Sequence, residues 1–131
     1  MTDDAEPAWL DRRLMLEVHA MQIAEHGGAS GIRDEGLLDS ALARPRNHAH
    51  YTRVGVVELA AIYALAIAHN HPFIDGNKRA GFIVAVLFLE LNDYRFQVTE
   101  ADAAVRTLAL AAGELSEREF ATWLKENSRR A

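Results

Sequence analysis

The chain has 131 residues, of which 50% are hydrophobic and 25% charged, and its formal net charge is −5 with the histidines neutral. That size and balance suit one globular domain over residues 1–131, with short flexible ends, and exclude a disordered chain. The acidic total argues against direct nucleic-acid binding, and the absence of cysteine excludes disulfides and cysteine-based zinc sites.

The opening Thr2-Asp3-Asp4-Ala5-Glu6-Pro7 is acidic, unlike a signal peptide. No apolar run approaches the roughly 20 residues of a membrane-spanning helix. A soluble, cytoplasmic protein with no membrane partner is expected. Ala8–His26 is predicted helical, because Trp9, Leu10, Leu14, Val18 and Met21 recur near helical spacing, and Gly27-Gly28 stops it. After a loop over Ala29–Arg33, Asp34 caps a short helix through Leu37, Leu38, Ala41 and Leu42, which Pro45 ends. Arg33 and Asp34 read as a turn and a cap. Arg46–Val54 reads as an exposed loop whose His48, His50, Tyr51 and Arg53 make a candidate docking edge.

Val56–His69 and Gly81–Leu91 are apolar on almost every face, the pattern of buried helices. The polar segment between them, Asn70–Arg79, must then lie at the heart of the fold. Asn92-Asp93 reads as a turn, and Arg95–Val98 as a short extended piece. Thr99 with Asp102 predicts a capping box for a helix to Ala112, and Gly113 breaks it. Ser116 with Glu119 predicts a second box for a last helix through Phe120, Trp123 and Leu124. The tail from Asn127 is expected to fray. The fold class is therefore all-α, with about six helices.

The chemistry concentrates in His71-Pro72-Phe73-Ile74-Asp75-Gly76-Asn77-Lys78-Arg79. A buried helix ends before this segment and another begins near Asn77, so free N–H groups and a positive dipole end face the loop, an anion site by geometry. Gly76 lets backbone approach a ligand, and Asn77 is a favoured cap. Lys78 and Arg79 put cations where the helix dipole favours acids. An anion between them and the helix resolves that conflict. Asp75 suits a hard cation such as Mg²⁺, which takes one or two carboxylates plus phosphate oxygens. His71 has the chemistry to accept a proton from an attacking hydroxyl. Pro72 stiffens the loop and Phe73 anchors it. His69 reads as a helix-end histidine near carbonyls, with substrate contact as the other role. A histidine metal site from His48, His50, His69 and His71 is a weak alternative, because nothing in the spacing enforces about four ligands.

This nine-residue segment resembles the signature of the Fic/Doc (Fido) superfamily, in the form of the death-on-curing (Doc) toxins. Gly27-Gly28, Gly31-Ile32-Arg33-Asp34-Glu35-Gly36-Leu37-Leu38-Asp39-Ser40-Ala41-Leu42 and Phe88-Leu89-Glu90-Leu91-Asn92 are similar to the same family, over roughly Leu16 to Val98. The resemblance implies an all-helical bundle with the motif between two central helices. It implies that His71 is the general base, that Asp75 binds magnesium, and that Gly76, Asn77, Lys78 and Arg79 hold phosphates. It relates the Arg46–Arg53 stretch to the flap that docks targets, with Tyr51 and Arg53 as substrate contacts.

Two departures from the adenylylating Fic pattern bear on the reaction. That pattern has a second glycine after the asparagine and an arginine four residues beyond it; here those places hold Lys78 and Phe82. Both resemble Doc, whose members phosphorylate a threonine of elongation factor Tu and stop translation, with ATP as co-substrate and a reversed nucleotide pose. Gly76 stands where the phage Doc type has alanine, which keeps AMP transfer as the alternative, beside a non-catalytic binding module. A Phd-like antitoxin with a segment that folds on binding is the implied partner.

Overall fold

The computed structural model describes residues 6–131; the acidic Asp3 and Asp4 lie outside them. Among the described residues it contains helices α1 (Arg12–His26), α2 (Glu35–Tyr51), α3 (Val56–Asn70), α4 (Asn77–Leu91), α5 (Glu100–Ala111) and α6 (Glu117–Glu126). Two short strands, β1 (Tyr94–Phe96) and β2 (Ser128–Arg130), complete it. The fold is an all-α, Fic/Doc-like bundle. No described helix is long and apolar enough to cross a membrane.

α3 is the axis of the core. Its residues are buried from Val57 to Ala68 apart from Glu58, so all its faces find partners, as the unbroken apolar sequence requires. It packs on α2, α4, α5 and α6. α4 lies closest, and Gly81 is the reason: a Cβ there would stand 2.9 Å from the carbonyl oxygen of Ala64. Tyr63, fully buried on α3, tilts against Phe88 of α4 and accepts the Leu10 N–H at 3.3 Å. Burial pushes the Tyr63 hydroxyl pKa above its ordinary value, against smaller opposing effects of that N–H and the Arg46 charge.

Four expectations change in the structure. α1 begins at Arg12 rather than Ala8, because Asp11 caps it by accepting the Leu14 N–H. Trp9 and Leu10 instead strap across the core. Trp9 stacks on Phe88, and the buried Asn92 exchanges two hydrogen bonds with the Ala8 backbone, at 2.8 and 3.1 Å.

Pro45 does not end α2. The helix runs on to Tyr51 with the proline inside it, so Arg46–Tyr51 is not a loop. An interior proline costs about 3 kcal/mol, but Leu38, Ala41 and Pro45 form one buried face at helical spacing. Burying that face against α3 offsets the lost hydrogen bond.

Thr99 caps α5, but Asp102 does not reciprocate; its carboxylate accepts the Trp123 indole N–H at 2.9 Å. The Ser116–Glu119 box forms in both directions. The tail does not fray either. Ser128–Arg130 pairs antiparallel with Tyr94–Phe96, and Arg130 lies over the Tyr94 ring.

Candidate active site

The loop between α3 and α4 turns on two left-handed residues. His71 ends α3 at φ 50°, ψ 54°, and Gly76 precedes α4 at φ 76°, ψ 17°. Between them Pro72 and Phe73 are buried, while Ile74 and Asp75 are exposed. Phe73 is 1% exposed.

Several contacts hold this loop in shape. The segment before α2 runs beside it: Ile32 and Phe73 form an antiparallel bridge, and Ile74 N–H donates to Gly31 O at 3.1 Å. Arg33 and Asp34 N–H both donate to Pro72 O, at 2.7 and 3.1 Å. From the other side, Asn77 clips the loop. Its Oδ1 accepts the Phe73 N–H at 2.9 Å and its Nδ2 donates to Phe73 O at 3.0 Å. Beneath, the buried His19 of α1 stacks face to face on Phe73, with centroids 3.8 Å apart and planes 5° apart. His19 Nε2 lies 2.8 Å from Asp75 O. A carbonyl only accepts, so that nitrogen carries the proton. Lastly, the Arg33 guanidinium reaches the end of α3, donating from Nη2 to Asn70 O at 2.9 Å and from Nε to His71 O at 2.7 Å.

α4 alone among the described helices has neither a side-chain cap nor an acidic residue in its first turn. Ala80 N–H is the first to enter its ladder, donating to Gly76 O at 3.0 Å. The N–H groups of Asn77, Lys78 and Arg79 precede that bond, where a helix leaves its N–H groups without an intrahelical partner. Lys78 and Arg79 are exposed beside them.

The exposed Asp75 carboxylate accepts the Gly76 N–H at 2.8 Å and the Ala29 N–H at 3.3 Å. Gly28 makes room for it, because a Cβ there would lie 2.6 Å from Asp75 Oδ2. Each carboxylate oxygen keeps a lone pair, so Asp75 fits a hard cation. Among the described residues no three His, Cys, Asp or Glu side chains could hold a metal by themselves.

The structure brings His71, Phe73, Asp75, Gly76, Asn77, Lys78 and Arg79 together in one loop and helix start. Two details differ from the sequence reading. The cap of α4 is Gly76, not Asn77, and the buried Asn77 side chain is engaged by Phe73. His69 is exposed in the last turn of α3, two residues before His71.

Tyr51 and Arg53 are not brought to the loop. Asp34, at the start of α2, touches Pro72, so the far end of α2 lies a helix length away, roughly 25 Å at 1.5 Å per residue. Tyr51, 85% exposed, sits there edge-on to His50. His48 and His50 share that far end, apart from His69 and His71. The segment lying along the loop is Gly31–Asp34 instead.

Sequence reasoning missed His19 and the reach of Arg33. The signal for His19 was a polar residue on the buried stripe of Met15, Val18 and Gln22. Arg33 left none, since its partners lie 37 and 38 residues away.

Residues 9–89 match the model of the Fic/DOC family. The chain is similar to "Protein kinase doc" of Escherichia phage P1, with 31% identity over 113 residues, 85% of this chain and 88% of that protein. It is also similar to "Toxin Doc" of Mycolicibacterium smegmatis, with 33% identity over 109 residues, 77% of this chain and 80% of that one. With its central loop, its bundle and these relatives, the chain belongs to the Fic/DOC family, in its Doc group.

Proposed function

We propose that this protein is a Doc-like toxin that transfers the γ-phosphate of ATP to a hydroxyl on another protein, a threonine of elongation factor Tu by family resemblance. The observation that carries the kinase reading is Phe82. In adenylylating Fic proteins an arginine at that place holds the γ-phosphate. Here the side chain is packed edge-on against Phe96 and Trp123, with centroids 6.0 Å away in both cases. It is partly buried against the core and offers no charge. The motif's own cations are Lys78 and Arg79, exposed at the start of α4, which suits a reversed nucleotide with its terminal phosphate near His71.

In this reading the open N–H groups of α4 and the two cations bind the phosphates. His71 accepts the proton of the target hydroxyl as its oxygen bonds to the γ-phosphorus. The bond from that phosphorus to the β-bridging oxygen breaks, and ADP leaves. The family is known for Mg²⁺, which Asp75 would hold and which would offset charge on the phosphates. Positioning and charge stabilisation supply most of the rate in phosphoryl transfer, and the tethers on this loop provide the positioning. The target implies a cytoplasmic site of action, and a Phd-like antitoxin would hold the protein in check.

The experiment is transfer of label from γ- and α-labelled ATP to elongation factor Tu, read with intact mass. The reading expects γ-label only, a gain of one phosphate, and loss of transfer and of cell toxicity in His71→Ala. Label from the α position alone would replace it with AMP transfer, the second reading. Gly76 favours that alternative, since a glycine at the helix start leaves backbone open to a phosphate. Unchanged toxicity in His71→Ala would instead indicate a binding module.

A further inference from the structure

We infer that Arg33 is a positioning residue for His71, setting the direction of its imidazole by gripping both peptide planes that flank its Cα. The inference rests on the reading of His71 as the proton acceptor.

His71 is one of two described non-glycine residues with positive φ, the other being Asp93 in the turn after α4. A side chain in the left-handed region is strained and persists only where its surroundings hold it. Two peptide planes meet at the His71 Cα, and their orientations are its φ and ψ. The first contains Asn70 O and His71 N–H. The second contains His71 O and the nitrogen of Pro72.

Proline has no N–H, so the second plane has a single polar handle, His71 O. Arg33 Nε donates to that oxygen at 2.7 Å. Arg33 Nη2 donates to Asn70 O, on the first plane, at 2.9 Å. The planar guanidinium therefore fixes the two carbonyls relative to each other, which a single ammonium cannot do with the same geometry. His71 N–H to Ile67 O, at 3.3 Å, is the longer of the bonds on the first plane. The anchor of Arg33 is itself fixed, because its own N–H donates to Pro72 O. His71 is exposed, and no hydrogen bond from its ring holds it among the described residues. Backbone geometry is then what aims it.

Arg33 is exposed, so its replacement empties no core position. In labelled-ATP transfer, Arg33→Ala is expected to lower kcat by on the order of 100-fold, the loss that about 1 Å of misplacement brings. KM for ATP should stay within about twofold, because the phosphate contacts at α4 are untouched. Arg33→Lys should recover part of kcat.

A kcat within about twofold of wild type in Arg33→Ala would overturn the inference, as would kcat, KM and Tm failing together. A second arm needs no activity. The His71 imidazole signal, assigned with His71→Ala, and amide exchange over residues 68–74 are compared in wild type and Arg33→Ala. A moved His71 signal and faster exchange there support the inference, and unchanged spectra overturn it. If wild type transfers nothing, the base reading of His71 fails while this arm still decides on Arg33.

Discussion

α4 and α6 begin in opposite ways. α6 is closed by its own sequence: Ser116 and Glu119 exchange both bonds of a capping box, and Glu117 and Glu119 put acids in the first turn. α4 starts on a left-handed glycine with no cap, no acid and two cations. A helix start left open in this way is less stable by itself than a capped one. α4 is held by tertiary contacts instead, through Gly81 against α3 and the clip of Asn77 on Phe73. The difference separates a helix start fixed by its own first turn from one fixed by the rest of the fold.

The largest test of that contrast is to close α4. Lys78→Glu with Arg79→Glu is expected to cut transfer by more than about 100-fold, the scale of losing fixed charge stabilisation. The same pair should leave Tm unchanged or raised, since acids in a first turn stabilise by about 0.3–1 kcal/mol. Persisting activity with a lowered Tm would break the comparison.

Gly81→Ala tests the tertiary hold on α4. A methyl 2.9 Å from a backbone oxygen forces the helices apart, and overpacking of this kind costs roughly 1–3 kcal/mol by denaturant unfolding. Ser116→Ala should cost about 1 kcal/mol, lowering Tm by about 4 °C without changing transfer by the folded protein.

The smallest effect is a pH dependence. The backbone N–H of Ser116, and then its hydroxyl, hold the Glu119 carboxyl below its ordinary value of 4.5. A folded pKa below the unfolded one means stability that is present above the unfolded value. It is lost as pH falls through the folded value. Thermal unfolding between neutral and acidic pH should show that loss, and Glu119→Gln should flatten it.

Much of the fold was legible because its signals are local. Asp34, Thr99 and Ser116 cap helices where side chain and backbone are three residues apart. The apolar wrap of α3 and α4 announced their burial, and so placed the loop between them. Pro45 misled because its cost is local whereas the buried face of Leu38, Ala41 and Pro45 is a tertiary gain. The fraying tail failed likewise, since three residues carry no signal for a partner strand at Tyr94–Phe96.

The sequence by itself determined which residues form the loop His71–Arg79, the helices on either side, and the missing acids at the start of α4. Those follow from composition and short-range spacing. Only the tertiary structure decided how the loop is shaped. His19 and Arg33 reach it from 56 and 38 residues away, and Asn77 turns inward to Phe73 rather than outward. Such contacts depend on where α1 and the Gly31–Asp34 segment pack, and packing depends on the whole core rather than on any one stretch of chain.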